Sequence, residues 1–90
     1  MPGMEPRVVD NPADNRYELW LDDRLAGELR YTRAGERLVL VHTEVDPEYK
    51  GKGLADALVK GALDDLKERG IEYIPVCPFV RAYLRRHPQD

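Results

Sequence analysis

Val45-Asp46-Pro47-Glu48-Tyr49-Lys50-Gly51-Lys52-Gly53-Leu54-Ala55 is the stretch that decides how this chain reads. Before it stands Leu38-Val39-Leu40-Val41-His42-Thr43-Glu44-Val45, with the β-branched, apolar composition of a strand. After it, Leu54, Ala55, Leu58, Val59, Ala62 and Leu66 recur at helical spacing, with Asp56, Lys60, Asp64, Lys67 and Glu68 on the watery side. The spacing predicts a helix from about 53 to 69, capped by Gly70. Gly51 and Gly53 sit at the junction. A glycine-rich turn from strand into helix offers unpaired N–H groups at the positive end of a helix dipole. Glycine also lets an anion come close to the backbone, so the stretch reads as a phosphate cradle.

Working outward, Ile71 to Val76 reads as another strand, interrupted by Pro75, which a fully paired central strand does not tolerate. Strand, helix, strand is a crossover unit, so segments 38–45 and 71–76 are predicted to run parallel with a right-handed connection. Upstream, Tyr17, Leu19 and Leu21 alternate with Glu18, Trp20 and Asp22, a strand pattern. Arg7 to Asp10 and Leu25 to Thr32 read as further strands, with Gly27 a candidate bulge. Turn residues fill 11–15, 22–23 and 33–36. Downstream, Pro78 opens a short helix that places Phe79, Ala82, Tyr83 and Arg86 on one side and ends at Pro88. The expected fold is a single α/β domain over 1–90, with a mixed sheet (α+β in character). An antiparallel meander precedes one β-α-β crossover and a short C-terminal helix, and residues 1–6 form a loose tail.

Ninety residues with 42% hydrophobic and 34% charged content fit one soluble globular domain with a thin core. A net charge of -3 argues against nucleic acid as the main partner. One cysteine excludes an intramolecular disulfide and favours a reducing compartment. No apolar run approaches the ~20 residues of a membrane helix, and the N-terminus lacks a signal pattern, so a cytoplasmic protein is expected.

Two phosphate-binding motifs fail on particular residues. A P-loop needs Ser or Thr after Gly51-Lys52, where Gly53 stands. A dinucleotide fingerprint needs a third glycine where Asp56 stands, and a carboxylate beside a pyrophosphate repels it. A third pattern fits better. Val45-x-Pro47-x-x-Lys50-Gly51-Lys52-Gly53-Leu54-Ala55 resembles the acetyl-coenzyme A loop of the GNAT acyltransferase superfamily, Arg/Gln-x-x-Gly-x-Gly/Ala after a strand ending in Val-x-Pro. Lys50 replaces the usual Arg or Gln, and Gly53 and Ala55 match. A small single-domain branch of that superfamily is more similar still, through His42-Thr43-Glu44-Val45, Pro75-Val76-Cys77-Pro78-Phe79-Val80 and Tyr83-Leu84-Arg85-Arg86-His87-Pro88. The resemblance covers about residues 16 to 88.

This resemblance implies an acetyl-CoA-dependent N-acetyltransferase acting on an amine of a protein or small molecule, without a metal. It implies that backbone N–H groups from Lys50 through Gly51, Lys52, Gly53 and Leu54 to Ala55 hold the pyrophosphate. The pantetheine arm would pair with the strand at Thr43 and Val45, in a V-shaped cleft beside strand 71–76. It also makes Cys77 the candidate catalytic residue, either as acyl carrier or as acid towards the leaving thiolate. The residues themselves agree with such a role: Cys77 lies at a strand end and a helix start, where the dipole favours an anion. His42 and Glu44, on one strand face, could deprotonate an incoming ammonium or activate Cys77. Tyr83 reads either as a proton donor to the thiolate or as a core aromatic. Arg81, Arg85 and Arg86 read either as nucleotide contacts or as a solvated basic face. Larger GNAT enzymes carry a helical pair between their first two strands and extra C-terminal strands; here only Asn11 to Asn15 occupies the first region. An open acceptor site, or one completed by a partner chain, is therefore expected, in a monomer or weak homodimer. A coenzyme A-binding or interaction module without turnover is the alternative.

Overall fold

The computed structural model describes residues 5–89. Five strands form one sheet in chain order: β1 (Pro6–Asn11), β2 (Arg16–Leu21), β3 (Arg24–Ala34), β4 (Arg37–Val45) and β5 (Tyr73–Pro75). The first four pair antiparallel; β4 and β5 pair parallel. Helix α1 (Leu54–Arg69) makes the crossover between β4 and β5, and α2 (Pro78–Arg86) closes the described chain. The predicted architecture is the observed one. Of the expected tail, residues 1–4 lie outside the described residues, whereas Pro6 already pairs with Leu21 in β1.

Side-chain alternation divides the sheet into two unlike faces. Tyr17, Leu19, Leu29, Tyr31, Leu38 and Leu40 point inward and pack against Leu58, Val59, Ala62 and Leu66 of α1 and Val80 and Tyr83 of α2 in one buried cluster. Close packing of α1 on β1 depends on Gly61: a Cβ there would stand 2.7 Å from Val8 Cβ. Helix α1 stops at Gly70, whose φ of 68° admits the left-handed cap. At the far end of the core, the Tyr17 hydroxyl donates to Asp65 (2.7 Å) and the Tyr31 hydroxyl to Asp10 (2.6 Å). Arg69 bonds to both Asp10 and the Tyr17 oxygen, tying β1, β2, β3 and α1 together.

The outer face carries Arg16, Glu18, Trp20, Glu28, Arg30, His42 and Glu44, with both helices packed on the opposite side. Glu18 is nonetheless buried, because Asn11, Arg16 and the Trp20 indole N–H all donate to its carboxylate. Two bulges shape this face. One leaves Ala26 without a partner on β2 between the pairs Leu19↔Gly27 and Trp20↔Leu25, next to the glycine expected to mark it. The other, unforeseen, leaves Val41 unpaired between Tyr31↔Leu40 and Arg30↔His42.

Candidate active site

The β4–β5 ladder is short. Leu38, Val39 and Leu40 pair with Tyr73, Ile74 and Pro75, and the strands then part. Pro75 has no N–H to continue the ladder. Instead the next two amides, Val76 (3.0 Å) and Cys77 (2.8 Å), both donate to the Leu40 carbonyl, and the chain turns away into α2. The second strand is thus shorter than the expected 71–76, and Val76 is exposed.

Beyond Leu40, β4 runs on with a partner on one side only. The Asp46 N–H donates to the Ala26 carbonyl at 2.8 Å, which makes Gly27↔Val45 a non-hydrogen-bonded pair of the antiparallel ladder. The N–H and C=O of Val45, and by alternation those of Thr43, therefore point away from β3 into the space that β5 has left. Four backbone groups line one wall of a V-shaped gap, the geometry an extended ligand needs to add itself as a strand.

The gap opens onto the glycine loop. Pro47–Tyr49 forms one 3-10 turn, capped by the Asp46 carboxylate accepting from the Glu48 N–H, with Tyr49 anchored in the core. Gly51 (φ 80°) and Gly53 (φ 71°) then take left-handed conformations that lead into α1, with Gly53 as its N-cap. The Lys50 N–H is used by the Pro47 carbonyl at 3.1 Å, which removes it from the expected set. The amides of Gly51, Lys52, Gly53, Leu54 and Ala55 have no backbone partner among the described residues. Of these residues, Gly51, Gly53, Leu54 and Ala55 line a groove of about 580 Å³ whose walls also include Val45, Tyr49, Lys50, Phe79 and Arg86. Lys50 lines the groove and Lys52 does not, and both lysines are exposed. Phe79 and Arg86 bring α2 into the groove. Arg86 also forms a bidentate ion pair with Asp56 in the first turn of α1 (3.1 and 3.2 Å).

Cys77 is the N-cap of α2 and 3% exposed. Its Sγ lies 3.3 Å from Thr43 Oγ1 across the gap, on the inner side of the sheet. His42 and Glu44 are on the outer side: His42 Nε2 is 3.5 Å from Glu44 Oε1, and both side chains are more than half exposed. The expected convergence of thiol, imidazole, carboxylate and cradle is therefore only partial. The structure joins Cys77 to Thr43 and the cradle, and it sets the His42–Glu44 pair on the reverse of the same strand. Direct activation of Cys77 by His42 has no contact to support it. Tyr83 is a buried core aromatic, and Arg81 and Arg85 are exposed.

Residues 16–90 match the family model for the GCN5-related N-acetyl-transferase domain. The chain belongs to that family. It is 38% identical over 61 residues to Protein NATD1 of Homo sapiens and of Gallus gallus, and 33% identical to that of Xenopus tropicalis. The match takes in 67% of this chain but only 54–56% of those proteins, so the chain spans about half the length of these relatives. Among solved structures, a Trypanosoma brucei acetyltransferase superposes on 88% of this chain and 66% of its own, with a TM-score of 0.53 and 21% identity. That likeness establishes the fold. This small GNAT domain thus has the family's mixed sheet with a parted strand pair and a glycine loop at the start of the crossover helix.

Proposed function

We propose that this domain is an acetyl-CoA-dependent N-acetyltransferase in which Cys77 acts as an acid towards the leaving thiolate rather than as an acyl carrier. The observation that carries this reading is the placement of the two candidate proton-handling groups on opposite faces of β4, with the open gap between them. The residues present fit acetyl-CoA. Amides 51–55 and the Lys50 side chain would take the pyrophosphate, and Thr43 and Val45 would pair with the amide-bearing pantetheine arm. Such a ligand carries its thioester along β4 towards Thr43 and Cys77.

The acceptor amine then arrives from the outer face, where neither helix packs. His42, with Glu44 beside it, takes a proton from the incoming ammonium. The free amine attacks the acetyl carbonyl carbon, the carbon–sulfur bond breaks, and the Cys77 thiol, oriented by Thr43, gives its proton to the departing sulfur. The newly acylated nitrogen still carries an extra proton and returns it to the Cys77 thiolate, restoring the thiol, while His42 releases its own proton to water. An acyl relay would instead need the amine to reach a thiol that is 3% exposed on the inner face. The acceptor is an amine of a protein or a small molecule, and the site of action is the cytoplasm, in keeping with a single free cysteine.

The test is steady-state kinetics with acetyl-CoA and a panel of amines, together with intact mass of the protein after acetyl-CoA alone. Intersecting, sequential kinetics and an unmodified mass are expected. Ping-pong kinetics with one acetyl group on the protein, absent from Cys77→Ala, overturns direct transfer. Coenzyme A binding with no acetylated product from any amine supports the non-catalytic module instead.

A further inference from the structure

Asp56 is out of place in an anion site. Its N–H belongs to the first, unpaired turn of α1, and Asp56 lines the same groove as the glycine loop. An acid in a first helical turn is favourable for the helix alone, since it meets the positive end of the dipole. Once a polyanion occupies that end, the same carboxylate repels it. Arg86 answers this conflict. Its two terminal nitrogens hold both Asp56 oxygens, 30 residues away in sequence, and Arg86 lines the same groove. The guanidinium is steadied over the Tyr83 ring, 5.9 Å from its centroid.

We infer that Arg86 is a positioning residue for phosphate binding that works through Asp56: it cancels the carboxylate that would otherwise expel a pyrophosphate from the cradle. The inference rests on the proposed coenzyme A site. Helix α2 is well built for the task, because its N-cap is Cys77 at the gap and its last residue is Arg86 at the cradle. One short element thereby spans the site from the reacting end to the phosphate end.

The experiment is calorimetric titration of coenzyme A into wild type, Arg86→Gln, Asp56→Asn and the double variant, with a thermal melt of each. Arg86→Gln is expected to weaken binding about tenfold or more, since it strips the partner from a carboxylate next to phosphate. Asp56→Asn is expected to bind as well as wild type or better. The double variant is expected to return to within about threefold of wild type. A purely structural role cannot give that rescue, because the double variant lacks the ion pair entirely. Arg86→Lys, which keeps the charge but not the bidentate fork, is expected to retain most of the affinity and covers the case in which Arg86→Gln fails to fold. A double variant as weak as Arg86→Gln overturns the inference in favour of direct contact between Arg86 and the ligand. Unchanged binding in Arg86→Gln overturns it too. Wild-type protein that binds no coenzyme A overturns the underlying site as well, so the two failures are distinct.

Discussion

Thr43 Oγ1 and Cys77 Sγ lie 3.3 Å apart across the mouth of the gap, joining the unpaired end of β4 to the start of α2. Either group can donate in this contact, and with the Thr43 hydroxyl donating to Sγ the thiol proton is left for the departing sulfur. Thr43→Val keeps the shape and removes the bond. A neutral hydrogen bond is worth about 1 kcal/mol. The expected result is kcat lower by about five- to tenfold, with coenzyme A affinity within about twofold of wild type and recovery in Thr43→Ser. An unchanged kcat would show that the hydroxyl does not orient the thiol.

Val45 allows a backbone test. Its N–H points into the gap and not towards β3, so Val45→Pro removes a group that serves no ladder bond. Melting temperature without ligand is expected to fall little, while coenzyme A affinity falls about tenfold for one lost bond. Equal binding by the two proteins would place the pantetheine arm elsewhere.

Gly61 tests the packing of α1 on the sheet. Alanine would raise helix propensity by about 1 kcal/mol at an ordinary position. Here the new Cβ meets Val8 Cβ and Cγ2 at 2.7 Å, and a Cβ cannot rotate away. Gly61→Ala is therefore expected to destabilise by about 1–3 kcal/mol in urea denaturation. Pairing it with Val8→Gly should relieve the clash, whereas Val8→Ala should not. A more stable Gly61→Ala protein would contradict this packing.

Stability should fall at both ends of the pH scale, for separate reasons. Burial alone would raise the Glu18 pKa, but hydrogen bonds from Asn11, Arg16 and Trp20 outweigh it and hold the group below its ordinary value. A depressed folded pKa contributes stability above the unfolded value, about 4.3, and loses it as pH falls further. Glu18→Gln should flatten that acid limb. Burial, and then the bond to Asp65, push the Tyr17 hydroxyl well above its ordinary range, and burial with Asp10 does the same for Tyr31. These contributions are complete below about pH 10 and are lost as pH rises beyond it. Tyr17→Phe and Tyr31→Phe should flatten the alkaline limb. Urea midpoints measured against pH check both, and parallel curves for wild type and variants would remove these residues from the account.

Much of the fold was legible because its signals are local. The alternation at Tyr17, Leu19 and Leu21, the stripe from Leu54 to Leu66, and Gly70 as a cap each follow from backbone period or a single φ angle. The Val41 bulge was not legible, since Leu38-Val39-Leu40-Val41 is uniformly apolar and carries no glycine to mark an extra residue. That bulge keeps Leu40 and Thr43 on the same face despite their odd separation. The i, i+2 spacing of His42 and Glu44 is enough to set them on one face. Their separation from Cys77 depends on which face α2 covers, and sequence spacing does not state that. The Asp56–Arg86 pair was hidden for a similar reason: each residue looks like a solvated helix charge until the fold brings α2 across the start of α1.

The Leu40 carbonyl, with its two donors, marks where one strand changes its bookkeeping with solvent. Glu44, paired to β3 in the hydrogen-bonded positions, should exchange its amide hydrogen slowly, whereas its neighbours Thr43 and Val45, with N–H groups towards the gap, should exchange quickly. Val76 and Cys77, locked to Leu40, should be protected despite lying outside any regular element. A deuterium-exchange profile would thus alternate residue by residue along the end of β4. A bound acyl donor would erase that alternation, leaving a footprint of the ligand written in the hydrogens it shields.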